Sequence, residues 1–397
     1  MSQRPISLSW DLQKLRSEGY DLEIRSGFLL VKDVPYVDAD RQVKRGTLVC
    51  QLALAGDVAQ RPPDHVAHFI GEHPCREDGR EIEQIKNQSR KQKLAEELEI
   101  DHTFSAKPKP ADNYDDYHHK VTTYVAMFER YVQAIEPLAN TARTFPVIEP
   151  DEDDPDAAFN YIDSASSRAE IGVVTDKLNG KRIVIVGLGG TGSYVLDLVA
   201  KTPVKEIHLF DGDELLQHNA FRSPGAPSIE ELRAKPKKAA YFKTLYSKMH
   251  RGIIDHEDYL HTGNIEQLRG TDFVFLCLDK GTAKSGIVAR LLEYAIPYVD
   301  VGMGVYLAEE RLGGVLRVTT VTPAKRDHVQ TRIPFSDGDG NNEYAKNIQI
   351  ADLNALNAAL AVIKWKKLCG FYSDFEQEHH CTYTIDGNMI INEDRPS

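Results

Sequence analysis

Asp211, Asp213, Asn219 and Arg222 fall on one stretch, "FDGDELLQHNAFR"; Lys237 follows in "KPKKAA", and Asp279 closes the apolar run "DFVFLCLD". Those residue types suit a nucleoside triphosphate with Mg²⁺: carboxylates for a ribose and a metal, an amide and two cations for the phosphates. Upstream, "KRIVIVGLGGTGSYVLDLVAKT" supplies Gly187, Gly189, Gly190 and Gly192 between a β-branched run and an amphipathic stretch. Glycines at a strand-to-helix junction let the backbone approach a ligand, and the helix N-terminus offers unpaired N–H groups to an anion. Gly187, Gly189 and Gly192 also satisfy G-x-G-x-x-G, the dinucleotide fingerprint, with Asp211 at nearly the expected distance. Two readings therefore stand: an NAD(P)- or FAD-dependent oxidoreductase, and an ATP site. A dinucleotide needs one acid for a ribose and has no evident use for the remaining cluster.

The elements that position these residues follow from the apolar pattern. Strand-like runs "KRIVIVG", "EIHLFD", "DFVFLCLD" and "PYVDVGM" alternate with helical stretches, among them "KKAAYFKTLYSKM" and "AKSGIVARLLEYA". Such alternation predicts a Rossmann-like, doubly wound, mainly parallel α/β sheet, in which loops at the carboxyl ends of the strands converge on one crevice. "GGVLRVTTVTP" reads as an added strand, and Ile350, Leu353, Leu356, Leu360 and Ile363 mark a long amphipathic helix. Residues 146–158, which contain "PDEDDPD", read as an acidic linker. Residues 1–145 are then expected to form a smaller mixed α/β or α+β domain, with strands in "FLLVKDVPYV" and "TLVCQLALAG" and a helix near "TTYVAMFERYVQAI". Residues 159–397 are expected to form the nucleotide domain.

Composition bounds the class. The chain has 397 residues, 41% of them apolar, which is enough for a sizeable core and favours two domains. A net charge of −12 disfavours a broad nucleic-acid or anionic-membrane surface. The start, "MSQRPISLSW", lacks a signal-peptide core, and no apolar run is long enough to span a bilayer, so a cytoplasmic protein is expected. Cys50, Cys75, Cys277, Cys369 and Cys381 are scattered and never in C-x-x-C spacing, so neither a disulfide framework nor a structural zinc is expected.

The ordered set G-x-G-G-x-G-S, D-x-D-x(5)-N-x-x-R, P-K and a strand-end Asp resembles the ThiF-type adenylyltransferase and ubiquitin-activating enzyme superfamily over residues 165–370. The resemblance implies ATP-dependent adenylation of the C-terminal carboxylate of a ubiquitin-like protein, with release of pyrophosphate and transfer to a conjugating partner. It places Asp211 on the ribose, Asn219, Arg222 and Lys237 around the phosphates, and Asp279 on Mg²⁺ with Asp213 in support. Lys235 rivals Lys237 because the preceding segment is longer than usual. Relatives work as pairs, and an arginine before the first strand reaches across the dimer; Arg168 is its positional match, which implies a homodimer. Many relatives also carry an acceptor cysteine in the crossover segment. Here that segment, expected at 302–344, holds no cysteine but does hold Thr331, Ser336 and Tyr344. Ser336 is the candidate for an oxyester, with direct transfer to a partner, or a distal thiol at Cys381 or Cys75, as alternatives. The N-terminal domain would recruit the substrate or a conjugating partner.

Each feature also has a plainer reading. Asp213 suits a loop-stiffening turn residue, Ser336 in Ser-Asp-Gly-Asp-Gly suits turn chemistry, and Arg168 suits a surface cation. His65, His68, His73 and Cys75 lie close together in sequence, as do His379, His380 and Cys381, but their spacings match no zinc pattern and a structural or partner-binding role is the default. A non-catalytic adenylation-like scaffold is the remaining alternative, against which the intact set Asp211, Arg222, Lys237 and Asp279 argues.

Overall fold

The computed structural model describes residues 4–137, 141–150, 157–169, 171–279, 281–335 and 348–395. The chain folds into two compact units: Met1–Asp154 with Tyr161–Ile171, and Pro155–Asn160 with Gly172–Ser397. Residues 151–156 of the expected linker lie outside the described residues.

The first unit is an antiparallel sheet with a helix on one face. Its strands run in the order Leu22–Arg25, Phe28–Val37, Val43–Gln51, Val66–Ile70, Leu98–Ser105, Lys86–Ala95. The helix Tyr117–Ile135 starts where the Asp116 carboxylate accepts the His119 N–H, which satisfies one of the orphan donors of its first turn. Tyr117, Val121, Tyr124, Val125, Phe128 and Val132 form its buried stripe, and all but Val132 share a core with Leu29, Val31, Leu48, Phe69 and Phe104 of the sheet. This unit is therefore α+β. Strands 86–95 and 98–105 arise in the polar middle of the domain, where no strand is expected from the sequence. The former is an edge strand of mostly exposed lysine, arginine and glutamine, so it lacks the apolar alternation that marks strands buried on one face.

The second unit carries the expected Rossmann-like sheet. We number its strands β1 (Arg182–Val186), β2 (Glu206–Phe210), β3 (Ile253–His256), β4 (Phe273–Leu276), β5 (Tyr298–Ala308), β6 (Arg311–Val321), β7 (His380–Thr384) and β8 (Met389–Glu393). Its helices that bear on the site are α1 (Gly190–Val199), α2 (Lys238–Tyr246), α3 (Gly281–Glu293) and α4 (Ala351–Leu368). The sheet order is β3-β2-β1-β4-β5-β6-β7-β8, parallel through β5 and antiparallel beyond it. Successive residues of the central strands feed opposite layers: Ile183, Ile185, Phe273 and Phe275 pack with α1 and α4, while Val184, Val186, Val274 and Leu276 pack with α3. Burial on both faces is why these strands read as unbroken apolar runs. Residues 302–321, the first part of the expected crossover segment, are mostly strand. The hairpin β7–β8 is not expected from the sequence reading, although "TYTIDGNMIIN" carries the Asp-Gly turn signal that points to it. Among the described residues no helix is long and apolar enough to cross a membrane.

Two histidines are built into this unit in the neutral form. His250 is fully buried; its Nε2 donates to the Val204 carbonyl at 3.0 Å and its Nδ1 accepts the Gly252 N–H at 3.0 Å. Burial lowers its pKa from 6.5 to about 4, and burial with the nearby Arg332 and Arg317 cations does the same to His380. The unfolded chain takes up these protons first, so the stabilisation is complete above the unfolded value and is lost as pH falls toward 4. For His250 the loss amounts to roughly 3 kcal/mol at pH 4. Urea unfolding of the native chain should show a midpoint that falls between pH 7 and 4.5, and His250→Gln should show a shallower fall.

Candidate functional site

The glycine turn hangs between its neighbouring strands. The Gly187 N–H donates to the Phe210 carbonyl at 2.8 Å, and the Cys277 N–H donates to the Val186 carbonyl at 2.8 Å. Gly187 has φ +89°, a conformation that disfavours any side chain. Gly192 is required for a different reason: a Cβ there would lie 1.9 Å from the Gly187 carbonyl oxygen, so the first turn of α1 can close onto the strand end only without one. Gly189 caps α1, and a side chain built on it would point into open space. The helix start thus lies at the carboxyl edge of the sheet, where its first-turn N–H groups favour an anion.

Asp211, at the end of β2, is buried. Its Oδ2 accepts the Leu188 N–H at 2.6 Å and its Oδ1 the Asp213 N–H at 2.9 Å, which ties the glycine turn to the next loop. Burial raises its pKa, against the lowering effect of Lys238 and of the two N–H bonds. Lys238, also buried, lies 2.7 Å from Asp213 Oδ2 and 3.7 Å from Asp211 Oδ1. Asp213 accepts a further bond from the Tyr259 hydroxyl. Lys237 is half-buried at the N-cap of α2, and its Nζ donates to the Gly212 carbonyl at 2.7 Å. Lys235 is exposed, in a left-handed conformation after a short helix, and is not part of this hydrogen-bonded set.

Asn219 is buried, with its Oδ1 accepting the Leu216 N–H at 2.8 Å, so that its side chain closes the turn leading to Arg222. Arg222 is half-buried, and its Nε is buried with no hydrogen-bond partner among the described residues. Asn354 of α4 connects these parts: its Oδ1 accepts the Thr191 hydroxyl at 3.0 Å, and its Nδ2 donates to the Arg222 carbonyl at 3.3 Å. It also backs Gly190 so closely that a Cβ there would lie 2.0 Å from Nδ2. Asp279 is exposed on the loop after β4. The structure thus brings Gly187, Gly189, Gly190, Gly192, Asp211, Asp213, Asn219, Arg222, Lys237 and Asp279 to the carboxyl ends of β1, β2 and β4.

Lys238 and Asn354 are not found by sequence reasoning. Lys238 is the last lysine of "KPKKAA", where Pro236 and the helix start set which one turns inward. Asn354 is a polar residue on the buried side of a helix that the sequence marks by its apolar positions.

Other expected residues lie elsewhere. Arg168 ends a short helix of the first unit, exposed, with its guanidinium 5.5 Å from the Phe145 ring centroid. Ser336 and Tyr344 lie outside the described residues. Thr331 donates to the His328 carbonyl at 3.0 Å within the short helix Val329–Arg332. Cys75 is buried and Cys381 half-buried; burial raises both thiols, Cys75 to about 11. His65 and His68 bond Ser105 and Thr103 on the neighbouring strand, while His73 bonds the Pro74 carbonyl. Among the described residues no group of three or more His, Cys, Asp or Glu side chains is arranged to hold a metal ion.

Residues 155–361, just over half of the chain, match the ThiF family. The chain belongs to the ThiF family. Residues 10–164 match a domain of unknown function, DUF6791. Ubiquitin-like modifier-activating enzyme 5 of Aedes aegypti is 25% identical over 146 residues, 34% of this chain and 37% of the relative; its Culex quinquefasciatus counterpart is 24% identical over 139 residues, 32% and 35%. The match thus spans little more than a third of these relatives' length. Among solved structures, E. coli MccB with MccA-N7isoASN aligns at TM-score 0.45 and 17% identity over 59% of this chain and 70% of that one. Selenomethionine PaaA aligns at TM-score 0.45 and 14% identity over 68% and 82%.

In this ThiF-family unit, Asn354 is the joint between the helix start and the Arg222 loop. Asn354→Leu keeps the branched shape, with bulkier methyl groups, but leaves the Thr191 hydroxyl and the Arg222 carbonyl without these partners, a cost of about 1–3 kcal/mol. The thermal midpoint, measured by scanning calorimetry, should fall.

Proposed function

We propose that the chain binds ATP with Mg²⁺ and adenylates the C-terminal carboxylate of a ubiquitin-like protein, for transfer to a conjugating partner. The observation that carries the reading is Arg222: a half-buried guanidinium with an unpaired buried Nε, tied by Asn354 to a helix N-terminus. Such a group calls for an anionic oxygen. Membership of the ThiF family supports ATP over a nicotinamide or flavin cofactor.

In this reading the α1 N–H groups, Arg222 and Lys237 bind the phosphates, with Asn219 holding the loop from which Arg222 projects. Asp211 has accepted two N–H bonds of the roughly four its carboxylate can take, which leaves capacity for ribose hydroxyls. Mg²⁺ takes oxygen ligands, commonly one or two carboxylates together with substrate phosphates, and exposed Asp279 fits that donor set. When bound, the ion would help neutralise charge on the leaving pyrophosphate. The incoming carboxylate is a nucleophile at neutral pH without a base; its oxygen bonds to the α-phosphorus as the bond to the bridging oxygen breaks and pyrophosphate departs. The chain's own contribution is alignment and positive charge.

Exchange of labelled pyrophosphate into ATP, in the presence of candidate ubiquitin-like proteins, tests this reading. Asp279→Ala and Arg222→Ala should each reduce exchange at least ~100-fold without lowering the thermal midpoint, because both act on the crevice rather than the core. Tight NAD binding without ATP binding would overturn it.

The pairing of subunits and the acceptor are part of the same proposal. If Arg168 serves the site of a second copy, mixing Arg168→Ala with Asp279→Ala chains should restore part of the exchange through hybrid dimers; a monomeric, fully active chain would defeat this. A covalent product on Ser336 would be an oxyester, resistant to mild hydroxylamine and lost in Ser336→Ala, whereas loss in Thr331→Ala or Cys381→Ala would move the acceptor there. The first unit is assigned recruitment of the protein substrate or the conjugating partner.

A further inference from the structure

A nucleotide laid with its phosphates on the α1 N-terminus and its ribose on Asp211 runs from the end of β1 to the end of β2. Its base then falls toward the next strand, β3, which is the edge of the sheet on that side. The loop leaving β3 presents Tyr259, a large aromatic residue that is 55% exposed. The loop is held firmly despite that exposure. Its neighbour Leu260 is buried in the core layer beneath, and Asn264 Nδ2 donates to the Tyr259 carbonyl at 2.9 Å. The ring lies against Gly212, where a Cβ would come within 2.8 Å of it, and the hydroxyl donates to Asp213. Asp213 is in turn fixed by Lys238, which reaches toward Asp211 as well.

We propose that Tyr259 is the platform on which the base of the bound nucleotide stacks, with Asp213 and Gly212 holding the ring in position beside the ribose site. The inference rests on the ATP reading above and adds the residue that recognises the base. A fixed aromatic ring with an open surface suits the π-face of a purine, and its order before binding lowers the entropic cost of stacking. This also gives Asp213 a role other than metal support: its carboxylate serves Lys238 and Tyr259. The competing role for Tyr259 is purely structural, that of holding Asp213 and its loop.

Calorimetric titration with ATP and with inorganic tripolyphosphate, both with Mg²⁺, separates these roles, since only ATP has a base. Tyr259→Ala should weaken ATP binding by about 10-fold or more while leaving tripolyphosphate binding unchanged, and Tyr259→Trp should restore ATP binding. Unaltered ATP affinity in Tyr259→Ala would overturn the inference. So would a parallel loss of ATP and tripolyphosphate, which would assign Tyr259 to support of the loop. If the native chain binds neither compound, the ATP reading itself fails; if it binds both and Tyr259→Ala behaves as native, this inference alone fails.

Discussion

The candidate site depends on one buried carboxylate. Asp211 joins the glycine turn to the loop after β2 by accepting N–H groups from Leu188 and Asp213, and Lys238 compensates its charge from α2. Three segments distant in sequence are thereby fixed against one another. Removing one partner of a buried ionic group leaves the other uncompensated and costs more than an exposed pair is worth. Lys238 therefore matters even though it need not touch a ligand: it favours the ionised form of Asp211 and orients Asp213, and through Asp213 it reaches Tyr259.

This carboxylate and the core histidines act on stability in opposite senses. The folded pKa of Asp211 is raised above 3.8, so the folded chain retains a proton that the unfolded chain has already released. Its contribution to stability accordingly declines as pH rises from that ordinary value through the raised one. His250 and His380, depressed to about 4, contribute in the other direction between 4 and 6.5. The histidines sit in the packed part of the unit and support the fold; the acid that is costly to ionise sits at the strand ends, where a ligand can compensate it.

How much of this is legible in the sequence depends on whether a residue's role is set locally. The parallel strands are readable because burial on both faces writes continuous apolar runs, and Gly187 and Gly192 because a turn at a strand end imposes its own spacing. Strand 86–95 is not readable: an edge strand owes its conformation to the partner strand 98–105 and carries residues suited to solvent. The same holds within the site. Asp211 and Asp279 closely follow strand ends, and Asn219 and Arg222 lie on the longer loop after β2, so sequence position places them at the carboxyl edge of the sheet. Asn354 enters from a helix more than a hundred residues further along the chain and Lys238 from an inward turn of α2, and their partners are defined only by tertiary packing.

Two groups of the crevice are costly to bury. Arg222 has a buried Nε with no partner among the described residues, and Asp211 is a buried anion whose ionised form is disfavoured. An unmet buried donor costs about 1–3 kcal/mol, which an acceptor supplied by a ligand would offset. In the ATP reading one molecule satisfies both: phosphate oxygens accept from the guanidinium, and ribose hydroxyls donate to the carboxylate. Asn354 ties the backbone that carries Arg222 to the start of α1, which fixes the point from which this side chain projects. A cation left partly unsatisfied beside a fixed helix N-terminus is ordered before any charge develops on the leaving group. In that reading little reorganisation would be required as charge develops.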